Sequence, residues 1–194
     1  MQNDISLSFT ATLHLDQHPV CILSEHTTGP MTIIHPYTLQ LVELAKALGI
    51  LIGPDHAWQE DRAVGLIDFH LASEPVATTF YFRHVQGLYR LYVRNGEHHG
   101  QGIYRPGNLP QAQAVVGQDP SLWAVLRAGE GGTPCTLAEL DANSQIHLEK
   151  SSSGSTLAML GIGIGIGGFL QATKTDPAAT LTLNIIEREV DWLG

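Results

Sequence analysis

Basic residues are scarce in this chain. Ten Lys and Arg stand against nineteen Asp and Glu over 194 residues, a formal charge of -9. With so few cations, and none clustered, the chain lacks the footprint that a phosphate backbone requires, and nucleic acid is excluded as a partner. Cysteine is scarcer still. Cys21 and Cys135 are too few for a disulfide framework. Each sits in an apolar, strand-like segment, which points to buried thiols, with a single bridge as the other option. No Asn-x-Ser/Thr acceptor, Gly-x-Ser-x-Gly, P-loop, dinucleotide fingerprint or Cys-x-x-Cys pair occurs. The first residues carry no basic flank and no apolar run of the signal-peptide kind, so a cytoplasmic or leaderless-secreted protein is expected.

Charge is sparse overall, at 15% of residues, while apolar residues make up 43%. That balance describes one globular domain with a full core and excludes a disordered chain. Its acidity is read as a solubility property.

A short phrase appears three times: an acidic residue, proline, a few small or mixed residues, then alternating apolar positions. The copies are Glu74-Pro75 leading to Phe80 and Phe82, Asp119-Pro120 leading to Trp123 and Val125, and Asp176-Pro177 leading to Leu181, Leu183 and Ile185. Recurrence of a local phrase marks a fold built from repeated units. Period-2 alternation supplies the strands. Ile5, Leu7, Phe9, Ala11 and Leu13 share one face, and further strands are expected over 18–23, 31–34, 64–71, 78–85, 88–94, 102–105, 112–116, 122–126, 146–149, 156–166, 169–173 and 181–187. Short helices over 120–128 and 134–142 compete with this reading. The period changes once: Leu41, Leu44, Ala45 and Leu48 form a helical stripe, with Thr38 to cap it and Gly49 to stop it. A helix over 38–48 is therefore expected. A polar loop over 53–62 follows it.

These elements group into three units, about 5–85, 87–128 and 133–188, in a single domain over 1–194. The stretches Tyr89-Arg90-Leu91-Tyr92-Val93-Arg94-Asn95-Gly96, Gly102-Ile103-Tyr104-Arg105 and Leu122-Trp123-Ala124-Val125-Leu126 are similar to the β-trefoil superfold of ricin-type lectins, fascin-like proteins and several protease inhibitors. The resemblance implies an all-β barrel of three four-stranded units, here with one inserted helix. A β-sandwich or an α+β fold is the alternative. The chain departs from the ricin type in having no Gln-x-Trp in its units, so the resemblance does not carry over that family's usual mode of sugar binding.

Three constellations bear on function. The run Gly161-Ile162-Gly163-Ile164-Gly165-Ile166-Gly167-Gly168 lies in an uncharged stretch over 151–173. As a strand it lines three isoleucines on one face and leaves the other flat, which suits a long hairpin or an inter-subunit packing strand. Five glycines, each costing about 1 kcal/mol against alanine, weigh against a membrane helix, and no membrane insertion is expected. Histidines number ten, but His14 and His18 lie beside Pro19 in a strand pattern with no third ligand in register, so no metal or other cofactor is expected.

The third constellation is the polar turn 95–101, with Tyr104 and Asn108 close by. Its planar hydrogen-bonding groups beside a ring suit a sugar. Asn95, His98, His99, Tyr104 and Asn108, with Asp141 at the corresponding position of unit three, are the candidate ligand residues. No catalytic residue is identified. The order Tyr104-Arg105, Ser151-Ser152-Ser153, Glu187-Arg188-Glu189 resembles the elements of ADP-ribosyltransferases. That likeness implies Arg105 on dinucleotide phosphates and Glu189 on the nicotinamide ribose. The expectation that results is a non-catalytic recognition module that binds carbohydrate. A protein-binding module, such as a protease inhibitor or toxin component, is the alternative. The partner is then a glycan or a protein, and the helix or the glycine strand offers a surface for a homo-oligomer.

Overall fold

A computed structural model describes residues 5–104, 113–115, 120–129 and 131–191. After a 3-10 turn at Ile5–Leu7 come β1 (Phe9–Leu15), β2 (His18–Pro19), β3 (Cys21–Ile22), β4 (Thr27–Thr28), β5 (Thr32–Ile34), β6 (Leu41–Glu43) and β7 (Leu48–Leu51). The short helix α1 (Gln59–Ala63) precedes β8 (His70–Leu71). The chain continues through β9 (Thr79–Val85), β10 (Leu88–Val93), β11 (Gly102–Tyr104), β12 (Gln113–Val115) and β13 (Leu122–Arg127). It ends with β14 (Asn143–Lys150), β15 (Ser155–Gly163), β16 (Gly167–Thr173) and β17 (Leu181–Arg188).

Six of these strands close on themselves. β1 pairs with β9, β9 with β10, β10 with β13, β13 with β14, β14 with β17, and β17 returns to β1, each pair antiparallel. The result is an all-β barrel with no open edge among the six, which removes the usual site of edge-to-edge association. Between barrel strands the chain makes excursions: the β11–β12 hairpin between β10 and β13, and the β15–β16 hairpin between β14 and β17. Glu74-Pro75 precedes β9, Pro120 precedes β13 and Asp176-Pro177 precedes β17, so the repeated phrase marks re-entry into the barrel. Proline suits that place because it holds the preceding residue extended and has no N–H to leave unpaired. Asp119 lies outside the described residues.

Aromatic residues from the alternating faces fill the barrel. Phe9 stacks on Phe82 with ring centroids 4.6 Å apart, and Tyr89 meets both rings edge-on. The Tyr89 hydroxyl accepts the backbone N–H of Leu137 at 2.9 Å, so its polar end is satisfied inside the core. β1 begins at Phe9 rather than Ile5. Ile5 lies in the 3-10 turn and is largely exposed, whereas Phe9, Ala11, Leu13 and Leu15 point inward. Of the two competing short helices, only a 3-10 turn at Leu137–Glu139 forms, fixed by a Thr136–Glu139 capping box. Cys21 and Cys135 are both free and buried.

The expected helix over 38–48 is absent. β5 and β6 form a hairpin there, with Ile34 opposite Leu41, and the chain then enters β7. Its turn is closed by the His35 N–H on the Gln40 carbonyl at 2.8 Å and the Leu39 N–H on the His35 carbonyl at 2.9 Å. The His35 ring adds a third tie, its Nδ1 accepting the N–H groups of Tyr37 and Thr38. Gly49 does not end a helix. It pairs with Cys21 on one side and Phe169 on the other, where an added Cβ would stand 2.2 Å from the Gly168 carbonyl oxygen. Strand pairing thus overrode a local helical period. The chain's one described α-helix, α1, forms instead within the stretch expected as a loop.

The hairpin β5–β6, strand β7 and the segment around α1 enclose a second apolar cluster that includes Met31, Ile33, Leu44, Trp58, Ile67, Phe69, Ile166 and Phe169. Trp58 ties this region to the glycine run, its Nε1–H donating to the carbonyls of Ile52 at 2.9 Å and Gly165 at 3.1 Å. The run itself is the end of the β15–β16 hairpin, one of the two forms expected of it. Its isoleucines do not share a face, because the chain turns over 164–166. Ile166 is buried, Ile162 packs against the second cluster and Ile164 is fully exposed.

Candidate functional site

The polar turn 95–101 packs against the first unit. Glu25 reaches across to it, its Oε1 accepting the backbone N–H groups of Glu97 at 2.9 Å and His98 at 3.4 Å. Asn95 spends its side-chain oxygen on the Thr79 N–H at 2.7 Å, fixing the end of β10 against the start of β9. His98 is buried, with Nε2 3.5 Å from the Ser24 hydroxyl and Nδ1 lacking a partner among the described residues. His99 is exposed, and Tyr104 is half-buried in β11. Asn108 lies outside the described residues. Asp141 sits just before β14, where its N–H donates to Ser144 and where Arg188 holds the neighbouring Leu140 carbonyl. No hydrogen bond or strand pairing among the described residues links it to the 95–101 turn. The turn does border an open hollow of about 300 Å³ lined by Glu25, His26, Val76, Asn95, Gly96 and Glu97, with no Phe, Tyr or Trp among them. Much of its polar equipment therefore holds the loop together.

A second hollow has the composition the first lacks. It measures about 410 Å³ and is lined by Leu15, Asp16, Tyr37, Met159, Leu160, Asp176, Pro177, Ala178, Ala179 and Thr180. Four distant parts of the chain build it, β15 supplying Met159 and Leu160. The turn between β1 and β2 supplies Asp16, held in the left-handed region at φ 47°. The 35–40 turn supplies Tyr37, 71% exposed and set on a backbone that His35 pins from below. The segment entering β17 supplies Asp176 and Thr180. Two carboxylates, a hydroxyl and an exposed phenol ring thus line one hollow, with the partly buried Met159 among its apolar members. Sequence reasoning passed over Tyr37 and gave Asp16 no role. The one available signal was Asp176, already marked by the repeated phrase.

Other titratable groups have structural partners. Asp55 accepts both Arg62 guanidinium nitrogens at 3.0 Å, the Leu71 N–H at 2.8 Å and His70 at 3.3 Å. Desolvation pushes its carboxyl upward, but the Leu71 N–H, His70 and Arg62 together hold it below the usual carboxylate range. Burial, with the Glu25 charge adding to it, pushes the Cys21 thiol up to about 12. His14 bonds the Asn184 amide rather than joining His18, and no group of three His, Cys, Asp or Glu among the described residues is placed to hold a metal.

The serine and Glu-x-Glu elements of the transferase likeness are not brought together. Arg105 lies outside the described residues. Ser151–Ser153 follow the C-terminal end of β14, whereas Glu187–Glu189 run beyond its N-terminal end, where Asn143 faces Asn184. At about 3.3 Å per residue, the eight residues of β14 alone separate them by roughly 25 Å. Arg188 meanwhile holds the carbonyls of Leu137 and Leu140. No helix among the described residues is long and apolar enough to cross a membrane. Comparison with protein-family models, curated proteins and solved structures yields no match to this chain.

Proposed function

We propose that the chain is a carbohydrate-recognition module on a β-trefoil scaffold, and that the sugar binds at Asp16, Tyr37, Asp176 and Thr180. The trefoil reading is supported by the order β1, β9, β10, β13, β14, β17 around the barrel, in which chain neighbours pair throughout and a hairpin excursion fills each long gap. Its three units are unequal, the first being enlarged by the β5–β6 hairpin and α1. Such a barrel presents variable loops on a rigid frame, which suits recognition.

The observation that carries the functional reading is that the exposed Tyr37 and the acidic residues Asp16 and Asp176 line one open hollow of about 410 Å³. A pyranose has one apolar face of C–H groups and a rim of hydroxyls. The ring face takes the first, and acceptor-only carboxylates take the second. A shallow site of this size holds one or two sugar rings, with weak affinity per site. The net charge of -9 and the two local carboxylates favour neutral glycans over sulfated or sialylated ones.

A glycan array probed with the parent, Tyr37→Ala, Asp176→Asn and Asn95→Ala tests this. Neutral glycans are expected to bind the parent and Asn95→Ala, and to be lost from the other two while their thermal unfolding stays near that of the parent. A folded parent that binds no glycan removes the carbohydrate reading. Loss confined to Asn95→Ala returns the site to the 95–101 turn.

A further inference from the structure

The uncharged stretch 151–173 is bounded by Lys150 and Lys174, two of the three lysines in the chain. The fold returns both to one place. β14 ends on Lys150, and the turn into β15 is closed by the N–H groups of Ser153 and Gly154 on the Lys150 carbonyl, at 3.1 and 2.9 Å. Lys150 then faces Ser155 directly in the β14–β15 pair. Residues so opposed send their side chains to one face, with Cβ atoms about 5 Å apart. Across β15, the outermost registered pair with β16 is Thr156 with Thr173, and Ser155 and Lys174 stand one step beyond it. Ser155 therefore has a lysine on each flank.

Ser155 and Lys174 line a third open hollow, of about 400 Å³, together with Ser153, Gln171, Thr173 and Thr175; Ala172 is its one apolar member. No carboxylate lines it, although acids outnumber cations nineteen to ten in the chain and each of the other two hollows has two. Asp176 lines the sugar hollow instead, and Glu149, next to Lys150 on β14, takes the opposite face of the strand. Several polar groups here lack partners. Ser155 is 3% exposed and Gln171 5%. The Ser155 hydroxyl accepts the Ser153 O–H at 3.1 Å, but its own proton has no acceptor among the described residues. Among the same residues the Gln171 amide has no hydrogen-bond partner, and neither lysine has an ion pair. Buried donors require acceptors, and a hollow beside them can admit one.

We propose that this hollow binds a small phosphate monoester, its phosphate held between Lys150 and Lys174 with the Ser155 hydroxyl donating to it. A phosphate brings acceptor oxygens and about −1.5 to −2 charges at pH 7, which suits ammonium and hydroxyl donors. A carboxylate brings a single charge, too little for two lysines. Acids elsewhere in the chain are largely screened beyond about 8 Å at physiological salt, so the net charge of -9 does not bar an anion from this spot. The phosphate site stands independently of the sugar reading.

Amide chemical-shift titration of the full chain with glycerol 3-phosphate, at an ionic strength fixed by sodium chloride, tests this. Saturating shifts within 150–156 and 171–175 are expected. Lys174→Gln and Lys150→Gln should each weaken binding about tenfold, the loss of one charge-assisted contact. Lys46→Gln removes the same charge from the third lysine, outside the hollow, and should leave the affinity unchanged. Lys46 and Lys174 are exposed, so both variants should unfold at the parent's temperature. Shifts that do not saturate, equal losses in Lys46→Gln and Lys174→Gln, or sodium acetate binding as tightly as glycerol 3-phosphate overturns the proposal. A phosphoserine pentapeptide that binds tenfold tighter than glycerol 3-phosphate overturns it too, by assigning the site to a protein partner.

Discussion

Two glycines that face each other in the β15–β16 hairpin should respond oppositely to the same substitution. Gly161 pairs with Gly168, and neither has the left-handed backbone that would strain an alanine. At Gly168 an added Cβ would stand 2.3 Å from the Leu160 carbonyl oxygen and meet the Met159 side chain, with Ile50 of β7 paired behind it. Methionine can move aside, but a backbone carbonyl inside a ladder cannot. At Gly161 the nearest atom within reach is the Gly167 carbonyl oxygen at 4.0 Å, an ordinary contact. Gly168→Ala should therefore cost the 1–3 kcal/mol typical of overpacking, about 2 kcal/mol as a working value. Gly161→Ala should be neutral or stabilise by up to about 0.5–1 kcal/mol through the lost flexibility of the unfolded chain. For a domain of this size, 1 kcal/mol moves Tm by about 2–4 °C, so Gly168→Ala should unfold roughly 4–8 °C below the parent. Thermal unfolding by circular dichroism, with urea titration alongside, reads both variants. Equal shifts for the two, or no loss in Gly168→Ala, would refute the claim that this glycine run exists to bring backbones together.

Other consequences follow from single contacts. Tyr89→Phe leaves the buried Leu137 N–H without its acceptor and should cost about 1–3 kcal/mol in urea unfolding, although no methylene is lost; an unchanged midpoint would contradict the assignment. Because burial holds Cys21 as a thiol and Cys135 is also buried, neither should react with a disulfide reagent at pH 8 in the native state, and both should in urea. Fast native labelling of Cys21 would contradict the core placement. The Asp55 carboxyl is held low in the fold, so its contribution is present above the unfolded value near 4 and is lost as pH falls below it. The stability gap between the parent and Asp55→Asn should accordingly be seen at pH 6 and shrink below about pH 4. Since that side chain is about a third exposed, the gap should stay within about 1 kcal/mol. A gap that widens in acid would reverse the sign of the argument.

The barrel was legible in the sequence because its strands are half-buried on one face. Phe80 and Phe82, Leu91 and Val93, Trp123 and Val125, and Leu181 and Leu183 all alternate, and all point inward. The repeated acidic-Pro phrase was legible for a related reason, since proline recurs where the chain re-enters the barrel. The inserted region was not. Leu41, Leu44, Ala45 and Leu48 satisfy a helical period, yet Leu41 lies outside, Leu44 and Leu48 inside, and Gly49 between two strands. Only the pairing of β7 with β3 and β16 decides that, and β16 lies more than a hundred positions away. The candidate site fared likewise. A local reading favours a compact polar turn such as 95–101, whose Asn95 proves to be committed to backbone. Asp16, Tyr37 and Asp176 become neighbours only through the fold, so no local window could single them out.

Amide chemical-shift mapping with neutral mono- and disaccharides at millimolar concentration tests the central claim most directly, because it registers weak binding and locates it. Shifts confined to residues 15–17, 37, 159–160 and 176–180 are the predicted result, and Tyr37→Ala should erase them. Absence of any shift, or shifts confined to residues 95–101, would contradict the account.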